Sequence, residues 1–278
     1  MSWLTVGADR GSPVDLYYED HGEGRPVVLV HGWPISGRCW EHQVEALVAA
    51  GYRVVSYDRR GFGRSGDTWF DHDVDTFAAD LVEVVTALGL RDSAVVGWSA
   101  GATEVVRAIT RGGLGDVRRA VLAAPTLPYL YRSYDNPQGT IGEGDLAVLE
   151  DSIRRDRATA IEAILARMAR PGDRTDLVSP ARMRELTTSA AEAAPQAIRD
   201  GVDLASRVDL RPELGRVCVP TLIVHGGADV VAPLEATARR AEAALTDARL
   251  VVIPDAPHLL QLTHAALFNG ALLAFLSE

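Results

Sequence analysis

Three residues, Ser99, Asp229 and His258, have the side chains and the chain order that acyl transfer by a serine requires. A serine hydroxyl is a poor nucleophile near neutral pH until a base takes its proton. Histidine can be that base, because its ordinary pKa of about 6.5 lets it accept and return a proton. An aspartate beside the imidazole holds its tautomer and stabilises the imidazolium. The three residues therefore predict a nucleophile, a base and an orienting acid.

Each of these residues follows an apolar run that favours a β-strand. The runs are residues 94–96, 220–224 and 249–253. In open α/β sheets, reactive groups gather at the carboxyl ends of the strands. Taken singly, Ser99 also fits a turn residue, Asp229 a loop or cap aspartate, and His258 a surface histidine. Their joint placement at three strand ends favours a catalytic triad.

The surroundings of Ser99 predict a strand, a tight turn and a helix in quick succession. Gly97 and Gly101 flank the serine in a Gly-x-Ser-x-Gly motif and lack the Cβ atoms that would prevent a sharp turn. In such an elbow the N–H of Ala100 points to where an oxyanion develops. A second donor is expected from the Trp33 N–H, and Pro34 restricts Trp33 to an extended conformation.

Alternating strand and helix patterns position these groups. Strands are predicted at residues 14–19, 26–31, 52–58, 94–96, 119–124, 219–225 and 249–253. Helices are predicted at residues 40–50, 74–88, 234–245 and 265–276. This alternation is typical of an α/β fold, with a mostly parallel sheet and helices on both faces. Residues 127–213 are helical in pattern, which predicts a cap inserted between core segments 1–126 and 214–278.

Composition limits the function classes. The net charge of −10 argues against a nucleic-acid surface and against attraction to anionic membranes. All basic residues are arginines, which excludes a lysine nucleophile, a Schiff base and a P-loop. Cys39 and Cys218 are expected to be free core thiols, and no metal-ligand spacing occurs. The N-terminus has no signal-peptide pattern, so we expect a cytoplasmic protein that acts on a small molecule without a metal.

The substrate pocket is predicted less sharply than the triad. Trp33 and Trp98 are candidate pocket walls, although packing under the sheet is an equal alternative for Trp98. Tyr129, Tyr131 and Tyr134 lie where the cap begins, and loop packing explains them equally well.

Other polar residues near the predicted strand ends have structural interpretations. His31 is expected to fix the shape of the oxyanion loop and His225 to have a similar role, while Asp58 is expected to fix a turn. Glu104 lies inside the helix after Ser99 and is expected to point away from the turn. His264 is expected to be a packing or surface residue.

Five motifs occur in order along the chain. They are His31-Gly32-Trp33-Pro34, Tyr57-Asp58-Arg59-Arg60-Gly61-Phe62-Gly63-Arg64-Ser65, Gly97-Trp98-Ser99-Ala100-Gly101, His225-Gly226-Gly227-Ala228-Asp229 and Ala256-Pro257-His258. Together they resemble the α/β-hydrolase superfamily, most closely its cofactor-free bacterial haloperoxidase and aryl-esterase (perhydrolase) group. The resemblance covers nearly the whole chain. It implies an eight-stranded sheet with a helical cap after the sixth strand, the triad and oxyanion donors named above, and no cofactor.

The chain departs from that group at three positions. Ala100 and Ala102 stand where a methionine and a further glycine usually follow the serine, and Leu259 replaces the glycine that usually follows the histidine. We include Leu259 among the predicted pocket residues. Members of the group are esterases that also make peracids from carboxylic acids and peroxide, with halogenation as a by-reaction.

The sequence supports three functional hypotheses. The first is a serine hydrolase that cleaves a small carboxylic ester or lactone through an acyl-enzyme, with promiscuous perhydrolase or haloperoxidase activity. The second keeps the triad but makes the protein a C–C bond hydrolase, acyltransferase or lyase of a biosynthetic pathway. The third is a ligand-binding receptor on a hydrolase scaffold, against which an intact triad argues. The oligomeric state is open between a monomer and a homo-oligomer.

Overall fold

A computed structural model describes residues 2–169 and 176–278, and its centre is one eight-stranded sheet. The strands are β1 (Ser2–Asp9), β2 (Ser12–His21), β3 (Pro26–Val30), β4 (Arg53–Tyr57), β5 (Ser93–Trp98), β6 (Val117–Ala123), β7 (Thr221–Gly226) and β8 (Ala248–Ile253). They lie in the order β1-β2-β4-β3-β5-β6-β7-β8. The pairs β1–β2 and β2–β4 are antiparallel, and the other pairs are parallel. The mostly parallel sheet is confirmed, and β1 is a strand that the apolar pattern did not predict.

Helices cover both faces of the sheet. They are α1 (Glu41–Ala49), α2 (Val74–Ala87), α3 (Ala100–Thr110), α4 (Glu143–Arg155), α5 (Arg157–Ala169), α6 (Pro180–Ala191), α7 (Pro195–Ser206), α8 (Ala238–Ala244), α9 (Leu260–Thr263) and α10 (Ala265–Leu276). In β3, Val27 and Leu29 join the core on one face, while Val28 and Val30 join the core on the other. Burial on both sides explains why this strand is apolar throughout.

Helix α8 is shorter than the sequence pattern predicts. The pattern extends from residue 234, but Thr237 has a non-helical conformation with φ −125° and ψ −88°. Its hydroxyl donates to the carbonyls of Ala232 and Pro233, so this side chain stabilises a turn where the helix was expected to begin.

In the described part of the chain no helix is both long and apolar enough to span a membrane.

The turn between β5 and α3 leaves no space for side chains at its glycines. Ser99 has φ 55° and ψ −120°, a backbone conformation that is rare for a residue with a Cβ. A Cβ on Gly97 would lie 2.5 Å from the Gly101 carbonyl oxygen, and one on Gly101 would lie 2.5 Å from the Val30 carbonyl oxygen. The sharp turn predicted from the two glycines is therefore present.

Helices α4 to α7 lie between β6 and β7, as expected for an insertion after the sixth strand. The cap boundaries at residues 127 and 213 stay predictions, and residues 170–175 lie outside the described part. The Met168 carbonyl at the end of α5 accepts a hydrogen bond from the Leu259 N–H at 3.1 Å. The insertion is thus hydrogen-bonded to the loop that carries His258.

Helix α7 packs directly on the loop that follows β3. The indole Nε1 of Trp33 donates to the Ile198 carbonyl at 3.1 Å, and Gly201 faces the same ring. Beside this contact, His72 Nδ1 lies 2.9 Å from an Asp200 carboxylate oxygen, and the Ala194 N–H donates to the Gly61 carbonyl at 2.8 Å. Hydrogen bonds on two sides therefore hold α7 against the core and against Trp33.

We predict that Gly201→Ala destabilises the protein, although alanine is normally the better helix residue. The new Cβ would lie 2.0 Å from Cδ1 of the Trp33 ring, which is buried and hydrogen-bonded and so has nowhere to move. Overpacking of this kind costs about 1–3 kcal/mol of unfolding free energy, measurable by urea denaturation. Gly270→Ala in α10 is the matched control, because nothing lies within 4 Å of its added Cβ. That variant should be stabilised by up to about 1 kcal/mol, and equal gains in both variants would contradict the packing argument.

A buried charged network lies beneath the turn at Ser99. Glu104 on α3 forms an ion pair with Arg59, in which Arg59 Nε lies 3.0 Å from Glu104 Oε2. Both side chains are fully buried, and the geometry between these two atoms is not that of a hydrogen bond. The Tyr57 hydroxyl donates to the same carboxyl group. The Arg59 N–H donates to His31 Nε2 at 2.9 Å, which extends the network to the loop after β3. Glu104 contacts Arg59 and Tyr57, and the network joins α3 to the ends of β3 and β4.

The Glu104 carboxyl gives the network a pH dependence. Burial raises its pKa from 4.5 to about 7, although the Arg59 guanidinium and the Tyr57 hydroxyl act in the opposite direction. Between these two pH values the folded protein keeps a proton that the unfolded chain releases. The contribution of Glu104 to stability therefore falls as the pH rises through this window and is constant above it.

We predict that Glu104→Gln removes this pH dependence, because the amide stays neutral and still accepts the hydrogen bond from Tyr57. Urea denaturation from pH 4.5 to 7 should show the wild-type free energy of unfolding falling more steeply than that of the variant, by on the order of 3 kcal/mol over the window. Glu235→Gln alters an exposed carboxylate and should follow the wild type. Parallel curves for wild type and Glu104→Gln would exclude a raised pKa at Glu104.

Candidate active site

Ser99, His258 and Asp229 meet at the carboxyl ends of three strands. Ser99 follows β5, Asp229 lies three residues beyond β7, and His258 lies five residues beyond β8. His258 Nε2 is 2.8 Å from the Ser99 hydroxyl oxygen, and His258 Nδ1 is 2.7 Å from Asp229 Oδ2. The structure therefore brings together the three residues that were predicted from strand ends distant in sequence.

Asp229 is arranged as an ionised acceptor. Its Oδ1 accepts the N–H groups of Val231 at 2.8 Å and Ala232 at 2.9 Å, which leaves Oδ2 for His258. Burial opposes ionisation of the carboxyl, but the charge and hydrogen bond of His258 outweigh it and hold its pKa below the ordinary value. An ionised Asp229 requires the proton of His258 on Nδ1. Nε2 is then free to accept the Ser99 proton.

Two further buried histidines, His31 and His225, fix loops. Among the described residues, neither forms a hydrogen bond with Ser99. Burial and the Arg59 charge lower the pKa of His31 to about 3, so its ring is neutral; Nε2 accepts from Arg59 and Nδ1 donates to the Gly32 carbonyl. Burial also lowers the pKa of His225, whose Nε2 donates to the Ala232 carbonyl at 2.8 Å. Both arrangements agree with the loop-fixing roles predicted for these residues.

Asp58 fixes a turn, as predicted. Its carboxylate accepts the Gly37 N–H at 2.8 Å and the Arg64 N–H at 2.9 Å, so it joins the loops that follow β3 and β4. The loop after β4 also carries Arg59, whose N–H donates to His31 Nε2. This loop is therefore bonded to the loop after β3 by both Asp58 and Arg59.

The two predicted oxyanion donors lie on adjoining backbone segments. Ala100 is the first residue of α3, so its N–H has no acceptor within the helix. A Cβ on Gly32, the residue before Trp33, would lie 2.9 Å from the Ser99 Cβ and 2.6 Å from the Trp98 carbonyl oxygen. Within residues 2–169 and 176–278, neither the Trp33 N–H nor the Ala100 N–H donates a hydrogen bond to the protein. Both N–H groups thus lack a protein acceptor, which agrees with the predicted oxyanion donors, whose role stays a prediction.

The Trp98 side chain does not form a pocket wall. It is completely buried, its Nε1 donates to the His258 carbonyl at 2.9 Å, and its ring centroid lies 5.3 Å from that of His258. Of the two alternatives that the sequence left open, packing is correct. Trp98 supports the backbone of the His258 loop.

A cavity of about 450 Å³ opens onto Ser99, a size suited to a small organic ligand. Trp33 lines it, as predicted, and Thr126 is a polar residue of its wall. Most of the remaining surface is aliphatic and comes from the segment between β6 and β7. Its main contributors are Leu130, Leu146, Leu149, Ile164, Met168 and Val202.

The tyrosines expected at the pocket entrance lie elsewhere. Tyr134 is fully exposed, the Tyr131 hydroxyl donates to Glu143 at 2.9 Å, and the Tyr129 ring packs beneath Arg211. Leu130, between two of these tyrosines, lines the cavity instead, because neighbouring residues in an extended segment point to opposite sides.

Leu259 is also not part of the cavity wall. Its side chain is completely buried in the core and its N–H donates to the Met168 carbonyl. The aliphatic lining was missed, although Leu146 and Leu149 on α4 and Ile164 and Met168 on α5 are spaced by three and four residues. This spacing is typical of residues on one face of a helix and could have indicated the lining.

The cysteines are both free, as predicted, but only Cys39 is in the core. Cys218 is exposed, so its predicted burial is wrong. Among the described residues no group of three His, Cys, Asp or Glu side chains could hold a metal ion. The expectation of a reaction without metal or cofactor stays a prediction.

Comparisons with known proteins agree with this architecture. The model of the alpha/beta hydrolase family matches residues 27–271. A putative non-heme chloroperoxidase of Synechocystis sp. is 40% identical over 99% of this chain and 100% of its own length. A bifunctional esterase/perhydrolase of Acinetobacter calcoaceticus is 32% identical over 95% of this chain and 96% of its own length. The crystal structure of a bromoperoxidase from Bacillus anthracis, 40% identical, covers all of both chains with a TM-score of 0.95. The chain belongs to the α/β-hydrolase family.

Proposed function

We propose that the protein is a serine hydrolase that cleaves a small carboxylic ester or lactone through an acyl-enzyme. The observation that carries this proposal is the chain of hydrogen bonds from Ser99 through His258 to Asp229, with Ser99 at the wall of an apolar cavity. The aliphatic lining favours an uncharged, apolar group next to the scissile bond. The likeness to an esterase/perhydrolase supports the same reaction class.

In the first half of the reaction, the Ser99 oxygen attacks the substrate carbonyl carbon while His258 Nε2 takes the serine proton. The carbonyl oxygen becomes an oxyanion, which accepts hydrogen bonds from the N–H groups of Trp33 and Ala100. Asp229 stabilises the imidazolium. Collapse of the tetrahedral intermediate breaks the bond to the alcohol oxygen, which receives the proton from His258.

In the second half, a water molecule gives a proton to His258 and attacks the acyl carbon. The bond from the acyl carbon to the Ser99 oxygen then breaks, the serine oxygen takes the proton from His258, and the carboxylic acid leaves. Hydrogen peroxide can replace water in this step, and the product is then a peracid. The non-heme chloroperoxidase and esterase/perhydrolase relatives support this side reaction. Halogenation follows outside the triad chemistry when the peracid oxidises a halide. The cytoplasmic location and the choice between monomer and homo-oligomer stay predictions from the sequence.

We predict that Ser99→Ala abolishes both turnover of 4-nitrophenyl esters of varied acyl length and covalent labelling by a fluorophosphonate. The hydroxyl oxygen is the atom that bonds to the acyl or phosphonyl group, so no other side chain replaces it. Labelling is measured by intact-protein mass spectrometry. Equal labelling of wild type and Ser99→Ala would contradict the proposal that Ser99 is the nucleophile. If Ser99 is labelled but no ester is hydrolysed, the protein is a C–C bond hydrolase, acyltransferase or lyase. A wild type that neither reacts nor is labelled but binds a small molecule is a receptor.

We also predict that Asp229→Asn lowers kcat by about 10⁴-fold, because the amide favours the wrong imidazole tautomer; this size follows the loss known for the aspartate of such triads. Thermal unfolding of the variant provides the folding control. Asp255→Asn changes an exposed carboxylate near His258 and should keep wild-type kcat. A kcat for Asp229→Asn within tenfold of the wild type would exclude Asp229 as the orienting acid.

A further inference from the structure

One wall residue of the cavity carries a positive charge without a carboxylate partner. Arg167 lies in the last turn of α5 and lines the same cavity as Ser99. Its Nη2 donates to the main-chain carbonyl of Val230 at 3.2 Å. Among residues 2–169 and 176–278 no carboxylate lies within ion-pair distance of it, so the remaining N–H donors of this guanidinium have no anionic acceptor there.

Of the arginines in the segment between β6 and β7, Arg167 is the one that lines this cavity. Among the described residues, arginines such as Arg157 and Arg184 also form no ion pair, but other arginines of the segment are paired. Arg182 holds Glu41 at 2.5 Å, Arg207 holds Glu143 at 2.6 Å, and Arg211 holds Asp135 at 2.6 Å. In a chain with a net charge of −10, carboxylates outnumber cations, so an arginine that faces a cavity without one is a distinct feature.

The acidic residue of the same wall does not neutralise Arg167. Asp145 also lines the cavity, but its Oδ2 accepts the Gly142 N–H at 2.9 Å and caps the first turn of α4. The positive end of the helix dipole stabilises a carboxylate at that position. Asp145 and Arg167 are not within ion-pair distance of each other, so each charge occupies its own part of the wall and the guanidinium is not paired locally.

Arg167 also lies close to the loops of the triad. Val230, whose carbonyl binds its guanidinium, directly follows Asp229. Met168, the next residue on α5, accepts the hydrogen bond of Leu259, which directly follows His258. The guanidinium is therefore held in the cavity wall beside the loop of Asp229, on a helix whose next residue is hydrogen-bonded to the loop of His258.

We propose that Arg167 is a specificity-determining residue, and that the preferred substrates are esters or lactones with an apolar body and a carboxylate. This proposal rests on the hydrolase function proposed above. The apolar body would fill the aliphatic cavity, and the carboxylate would accept hydrogen bonds from the free guanidinium donors. A guanidinium binds a planar carboxylate through two parallel hydrogen bonds, a geometry that an ammonium group does not reproduce.

The test compares charged esters with neutral esters of the same shape. One set consists of mono-4-nitrophenyl esters of dicarboxylic acids, from succinate to suberate, and the matching esters in which an isopropyl group replaces the carboxylate. A second set places the carboxylate on the alcohol side, as 3-(4-acetoxyphenyl)propanoate against 4-(3-methylbutyl)phenyl acetate. Rates are corrected for hydrolysis without enzyme, since neighbouring carboxylates accelerate it.

We expect the wild type to favour the charged member of at least one pair in kcat/KM, and Arg167→Gln to lower that ratio about fivefold, the size of a partly exposed ion pair. The loss should appear in the KM of the charged esters. Arg167→Lys should recover part of the ratio. Added salt should reduce the ratio in the wild type but not in Arg167→Gln.

Arg155→Gln is the control variant, because Arg155 is an exposed arginine of α4 that pairs with Asp151 and does not line the cavity. It should keep the wild-type ratio. Equal ratios in wild type and Arg167→Gln for both sets would overturn the proposal, even where neutral esters are hydrolysed and Ser99→Ala is inactive. If Ser99→Ala retains turnover, the proposed hydrolase function itself fails, so the two failures are distinguishable.

Discussion

The candidate active site depends on how closely the turn at Ser99 packs against the loop after β3. Gly101 lies against the Val30 carbonyl, and Gly32 lies against the Trp98 carbonyl and the Ser99 Cβ. Packing this close brings the loop that carries Trp33 next to the turn at Ser99, as the proposed pair of oxyanion donors requires. A side chain at either glycine would separate the two segments. The proposed nucleophile and oxyanion donors are therefore positioned by the absence of two Cβ atoms.

Buried charges hold this packing in place from below. Arg59 binds Glu104 on α3 with its side chain and His31 with its main-chain N–H, so one residue of the loop after β4 contacts both segments. Such a pair contributes little net stability, because desolvation of the two charges offsets their attraction. The network instead fixes the position of the His31 ring. Because burial keeps this ring neutral, Nδ1 donates to the Gly32 carbonyl and Nε2 accepts from the Arg59 N–H. The loop that carries Trp33 thus has a single favourable arrangement.

The sequence was sufficient to predict residues whose positions follow from the ends of parallel strands. It was not sufficient to predict which way side chains in loops point. Ser99, Asp229 and His258 were found because parallel strands bring their carboxyl ends to one edge. Trp98 ends a strand, but which face its indole takes depends on packing with His258, and no local pattern encodes that contact. Tyr129 and Tyr131 were chosen for their residue type, whereas extended alternation turns Leu130 to the cavity. The turn at Thr237 similarly needed carbonyl positions that the helical pattern does not contain.

Helix α7 links the shape of the cavity to the chemistry of the serine. Val202 of this helix lines the cavity, while Ile198 and Gly201 hold the Trp33 indole. The His72–Asp200 contact fixes the same helix to the core from its other side. Any change that moves α7 must therefore alter the apolar wall and the position of the Trp33 N–H together. Under the proposed mechanism, substrate selection and oxyanion stabilisation are therefore coupled through α7. A substitution in α7 should affect KM and kcat jointly, whereas one at Arg167, on α5, should act on binding.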